Sequence, residues 1–224
     1  MAGCRPVGAG HGAAPLQTAS GRLLAVLGFA VLAALVWSGI APHERGTWAL
    51  EVAPVLIAAP ILWRTHRRFP LTTLLYVLIA LHALVLIGGG AYTYARMPLG
   101  EWVQAVFDLG RNPYDKLGHF MQGLVPALAA REILLRGGHV AGRRMAGFLA
   151  LCVAMAVSAV YELVEWWAAL LLGQGADEFL GTQGDVWDTQ SDMFLALLGA
   201  AAAVWLLRRW HDRQMGPVPA GAQR

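Results

Sequence analysis

Cysteine is nearly absent: only Cys4 and Cys152 occur among 224 residues, one near the start and one inside an apolar run. That excludes a disulfide framework and a cysteine-built metal site. Charge is scarce as well. Only 14% of residues are Asp, Glu, Lys or Arg, while 57% are hydrophobic and the mean hydropathy is +0.52. This is more apolar than a water-facing surface around one core requires. Lysine is reduced to Lys116, so arginine carries nearly all the positive charge behind the net +3. Those arginines sit in short links between apolar runs, where they orient helices in a bilayer and form no nucleic-acid face. No segment is long and polar enough to make a separate soluble domain.

What remains is an all-α polytopic membrane bundle of about six transmembrane helices. Six apolar stretches are expected to span or nearly span: Leu23 to Ile40, Trp48 to Trp63, Leu71 to Tyr92, Leu117 to Leu135, Met145 to Leu172 and Thr189 to Leu207. The second is the shortest, and Pro54 and Pro60 are expected to kink it or shift it toward the interface. Residues 22–210 read as one transmembrane domain, between a flexible cytoplasmic tail at 1–21 and a cytoplasmic tail at 211–224. The first stretch is expected to be retained as a span and not cleaved as a signal.

Arginines follow the second, fourth and sixth stretches, which places both termini in the cytoplasm by the positive-inside rule. On that orientation thirteen of the seventeen basic residues lie on the inner half and twelve of the fourteen acids on the outer half, with Glu132 and Asp212 the exceptions. Trp37, Trp48, Trp102, Trp166, Trp167 and Trp187 mark the outer boundary, and Trp63, Trp205 and Trp210 the inner one. Between the third and fourth stretches, Trp102, Val103, Val106 and Phe107 share a helical face after Pro98, which predicts a short interfacial helix over 99–109. The Gly- and acid-rich connection from Gly173 to Asp188 reads as a lid.

Helical spacing singles out three polar faces at the outer end. Asp115, His119 and Gln122 fall at i, i+4 and i+7; Ser158, Glu162 and Glu165 repeat that spacing beside Tyr161; Asp188 and Asp192 are one turn apart, with Asp185 joining them if the helix begins early. Ionisable groups at membrane depth are costly unless paired, hydrated or metal-bound, so the three faces are expected to share one cavity. Many carboxylates with one His favour Mg²⁺, Mn²⁺ or Ca²⁺ held by Glu162, Asp188, Asp192, Asp115, Glu165 and Asp185. In an enzymatic version His119 serves as acid or base and Lys116 steadies a phosphate.

Structural roles compete for several of these residues. Asp115 and Asp188 stand where a helix N-cap belongs. Glu165 and Glu51 fit acids snorkelling into headgroups, and His82 fits a neutral imidazole bonded to nearby backbone. Arg131, Glu132 and Arg136 read as interfacial charge pairing.

The segments Tyr92 to Tyr94, Asn112 to Phe120, Tyr161 to Trp166 and Phe179 to Asp192 closely resemble the YjdF-type bacterial inner-membrane proteins, the domain-of-unknown-function 2238 family, over about Arg67 to Trp205. A fainter likeness to VanZ-like membrane proteins rests on Asp115, Lys116, His119, Phe120, Glu162 and Asp188. The resemblance implies a multi-pass inner-membrane protein with envelope-related work and no assigned reaction. Tyr92, Tyr94, Gln122, Tyr161, Gln183 and Gln190 are expected to line the pocket. The leading expectation is an outward-facing acidic pocket that binds a divalent cation and a membrane lipid or lipid-linked envelope precursor. A transporter or channel, or a non-catalytic scaffold with a protein partner, are the alternatives.

Overall fold

The computed structural model describes residues 15–140, 142–172 and 182–216. Among these the chain forms eight α-helices and no strand. They are α1 (Gly21–Ile40), α2 (Arg45–Thr65), α3 (Thr73–Tyr92), α4 (Pro98–Phe107), α5 (Tyr114–Arg136), α6 (Arg143–Leu172), α7 (Asp188–Ala201) and α8 (Arg208–Met215). A 3₁₀ turn, Tyr94–Arg96, precedes α4, and α7 continues as a π-helical stretch, Ala202–Leu206. All six expected apolar stretches are helical, and the short helix expected at 99–109 forms at Pro98–Phe107 with Pro98 in its first turn.

Five helices, α1, α2, α3, α6 and α7 with its continuation, are long and apolar enough to cross a membrane. The more polar α5 is not among them; it is the inner helix, with fourteen of its 23 residues buried, and it packs on α3, α6 and α7. Lipid contact explains why the outer helices are apolar nearly all round. On α1, Val26, Phe29, Leu32 and Val36 are exposed, as are Val153, Val157 and Val160 on α6. Pro54 and Pro60 lie inside α2, which runs through both without ending. Glu44 caps that helix by accepting from the Gly46 and Thr47 amides, and these backbone bonds hold its carboxyl below the usual range.

Helices in lipid gain little from apolar burial and depend on close packing. Along α6, Ala146, Ala150, Ala154 and Ser158 form a fully buried row at four-residue spacing, and Glu162 continues it. The periodicity that turns the alanines inward therefore turns Glu162 inward too. Between α5 and α7 the backbones meet: a Cβ on Gly123 would overlap the carbonyl of Ala196, and one on Gly199 would overlap that of Phe120.

At the arginine-rich end, the packed chain exceeds the expected 22–210. The amide of Thr73 donates to Gln17 O (3.0 Å), the amide of Gln17 donates to Gln214 O (2.8 Å), and His211, Gln214 and Met215 are buried. The π-helical stretch precedes this helix, and α8 turns His211 into the bundle. There Glu132 accepts from the Thr72 amide (3.0 Å), the Thr72 hydroxyl (2.8 Å) and Arg136, and lies 2.9 Å from His211 Nε2. Arg131 Nη1 lies 3.2 Å from His211 Nδ1, and its Nη2 donates to Asp212 (2.6 Å). Arg131 and Glu132 are each 0% exposed, so the interfacial pairing expected for them is instead a buried lock. It joins residues 60 to 81 positions apart, contacts that helical spacing does not encode.

Candidate functional site

At the acidic end, where α5 and α7 begin and α6 finishes, the three polar faces turn toward one another. His119 is the common member. Its Nε2 lies 3.3 Å from Asp115 Oδ1 and 3.7 Å from Asp192 Oδ2, and its Nδ1 lies 3.3 Å from Gln122 Oε1 and 3.8 Å from Glu162 Oε1. Two sets of three potential ligands result, Asp115–His119–Asp192 and His119–Glu162–Glu165, with the atoms of each set within 4.8 Å of one another. Asp115, His119, Glu162, Glu165, Asp188 and Asp192 are all buried. Glu162 Oε1 and Asp192 Oδ1 have no hydrogen-bond partner among the described residues. Tyr161 meets His119 edge to face, with ring centroids 6.3 Å apart.

Asp115 and Asp188 do not cap their helices. The residues at the cap positions are Pro113 and Trp187, and both acids lie in the first helical turn, where the macrodipole favours them. Glu165 is 8% exposed while its neighbours Trp166 and Trp167 face outward, so it does not snorkel. Asp185 stays outside the helix: it accepts from the Trp187 amide (2.9 Å) and pairs with Arg111 (3.3 Å), and does not join the stripe.

Two residues outside the spacing argument complete the cluster. Glu51, expected among the headgroups, is 1% exposed; it accepts from the Tyr161 hydroxyl (3.2 Å) and lines the cavity together with Tyr94. Burial, reinforced by the charges of Glu51 and Asp115, pushes the Tyr94 phenol well above its ordinary pKa. The run Gly88, Gly89 and Gly90 makes this possible. A Cβ at Gly89 would sit 2.6 Å from the Tyr94 ring, one at Gly88 2.8 Å from the Tyr114 hydroxyl, and one at Gly90 3.2 Å from Glu51 Cβ. Three adjacent glycines in an apolar helix were the available signal.

Arg111 is the second addition. It contacts Asp188, Asp185 (3.3 Å) and Asp115 (3.4 Å), and donates to Thr182 O (3.0 Å). Burial opposes its charge, but the hydrogen bond to Asp188 and the surrounding carboxylates outweigh this and raise its pKa. Beside it, Gln183 accepts from the Asn112 amide (2.9 Å) and donates to Asn112 O (3.1 Å). Residues 111–112 and 182–188 are thereby fastened together. Arg111→Ala should cost about 1–3 kcal/mol and raise hydrogen exchange across 182–188, with Arg111→Lys intermediate because it keeps the charge without the fork. Unchanged exchange there would mean the fastening lies elsewhere. The expected lid falls at 173–188, of which 173–181 lie outside the described residues.

The other expected positions divide. Tyr94, Gln122 and Tyr161 line the cavity with Glu51, Asp115, His119 and Glu165. Tyr92 does not: it meets Trp37 in a tilted ring contact, centroids 6.1 Å apart, and lines a separate hollow. Gln183 serves the fastening just described, and Gln190 is exposed. Lys116 is half-buried and forms no hydrogen bond or ion pair among the described residues. Trp48 turns inward, with Nε1 donating to Ser38 (3.0 Å), so the outer tryptophan belt has one member fewer. The Nε2 of His82 is buried without a partner among the described residues, unlike the backbone-bonded imidazole expected there.

Comparison with known proteins agrees with the architecture. The family described as "Predicted membrane protein (DUF2238)" matches residues 23–213. The Inner membrane protein YjdF of Escherichia coli (strain K12) is 63% identical over 181 residues, covering 81% of this chain and 87% of that protein. No solved structure matches the chain.

Proposed function

Starting from the fact that this chain belongs to the DUF2238 family of membrane proteins, we propose that its acidic pocket binds one divalent cation and presents it to the headgroup of an envelope lipid. The observation that carries this reading is the pair of buried, unpartnered carboxylate oxygens, on Asp192 and Glu162, on either side of one imidazole. Buried carboxylates at these separations repel one another unless a proton or a cation intervenes. Oxygen-rich sets with a single His suit Mg²⁺, Mn²⁺ or Ca²⁺.

Gln122 favours one position for the ion. With Oε1 accepting from Nδ1–H, the His119 lone pair is left on Nε2, facing Asp115 and Asp192. Those three residues hold the cation, and Asp188 stands next to them. Lys116 has no part in this arrangement; a phosphate is steadied by the metal instead. The pocket faces the outer side of the inner membrane, because the arginines gather at the opposite end.

Thermal unfolding of the purified protein tests this. A cation at about a hundred times its Kd adds about 2.7 kcal/mol, or about 5–10 °C for a chain of this size. Asp192→Asn should erase that shift, and Glu162→Gln should reduce it. Wild-type melting that is the same with EDTA and with Mg²⁺, Mn²⁺ or Ca²⁺ would remove the metal from the reading.

A further inference from the structure

The cavity in this site adjoins the position given to the cation and extends away from it. Its volume is about 10 Å³; Asp115 and His119 line it together with Glu51, Tyr94, Gln122, Tyr161 and Glu165, while Asp188 and Asp192 do not. Such a space holds a guest of one non-hydrogen atom. Glu165 reaches it 8% exposed and without a hydrogen bond among the described residues. From this geometry we propose that the cavity receives a primary ammonium, so that the headgroup taken by the pocket is an aminoalkyl phosphate.

The chemistry of the wall selects that guest. The second potential metal set, His119–Glu162–Glu165, would need a lone pair on Nδ1 of His119, and with Nδ1–H donating to Gln122 Oε1 that nitrogen has none to offer. An ammonium brings three donors. The Glu165 and Glu51 carboxylates and the Gln122 carbonyl oxygen are three acceptors around the same space. The Tyr94 and Tyr161 rings add aromatic surface that favours a cation. A trimethylammonium has no N–H and is too large for a one-atom space, and a glycerol headgroup has no positive charge to offset Glu165. The phosphate of the same headgroup would then lie on the Nε2 side, toward the cation. This inference rests on the metal-and-headgroup reading of the site and specifies its ligand.

The test is lipid retention by the full-length purified protein in native mass spectrometry, with Mn²⁺ binding followed by electron paramagnetic resonance in the same samples. Phosphatidylethanolamine, phosphatidylcholine and phosphatidylglycerol of matched acyl chains are the probes. The wild type should retain the ethanolamine lipid about tenfold over the other two, the loss expected for one charge-assisted hydrogen bond. Glu165→Gln and, independently, Glu51→Gln should bring the three lipids to parity while Mn²⁺ still binds. Displacement by soluble phosphoethanolamine would assign the ammonium to a soluble ligand, and resistance to it would assign the ammonium to a lipid. Parity among the lipids in a wild type that still binds Mn²⁺ overturns the ammonium subsite alone. Failure of the wild type to bind Mn²⁺ overturns the metal reading beneath it.

Discussion

Gly123→Val is expected to leave almost no folded protein in the membrane fraction. The added Cβ would occupy the position of the Ala196 carbonyl, and backbone cannot yield as a side-chain tip can. Separating α5 from α7 would also break the reciprocal contact at Gly199 and open the row formed by Ala196, Ala200 and Ala203, all fully buried. Overpacking of a core costs about 1–3 kcal/mol when side chains can shift; here two helices must part, and the cost should exceed that range. The same contact sets the site, because it brings Asp192 of α7 to 3.7 Å from His119 of α5. Gly123→Ala is the milder probe and should fold partially, with weakened cation response. Normal accumulation and melting of the valine variant would show that the two helices do not meet backbone to backbone.

Glu132→Ala should lower stability by about 3–5 kcal/mol, the usual consequence of removing one partner from a buried ionic group. For a chain of this size that is a fall in melting temperature of about 10 °C. The substitution strands the Thr72 amide and hydroxyl and the His211 Nε2 in a place water does not reach, and leaves the Arg136 guanidinium only its bond to Pro70 O. Glu132→Gln keeps the size and one acceptor and should cost less. Because Glu132 and His211 lie 2.9 Å apart, Glu132→Ala and His211→Ala should be strongly non-additive. A loss below about 1 kcal/mol for Glu132→Ala would mean the lock is not formed in the membrane. The cation response at the far end of the bundle should survive both changes, which separates damage to the fold from damage to the site.

The candidate site was half legible in advance. Asp115, His119 and Gln122 share a face because four residues make about one helical turn, and Glu162 and Glu165 share one for the same reason. Periodicity says which side chains stand together on a helix. It does not say which helix stands opposite, and so Glu51 looked like a solitary interfacial acid although it contacts Tyr161, 110 positions away. Arg111 is inconspicuous in the sequence for a related reason: its partners Asp185 and Asp188 lie 74 and 77 residues downstream. Asp115 and Asp188 are ambiguous at helix starts, and only the observed first turns separate an acid of the buried cluster from an acid at a cap.

The amino-acid order by itself determined the helices, their apolar exteriors and the segregation of acids from arginines, since these depend on local composition and on the cost of placing charge in hydrocarbon. Tertiary structure alone decided that α5 is the inner helix, that Glu51 lines the cavity, that Arg111 pairs with the acids beside it, and that Arg131 and Glu132 are fully buried. The physical reason is that partners in these clusters come from different helices, and which faces meet is set by steric fit, above all where Gly123 and Gly199 let two backbones touch.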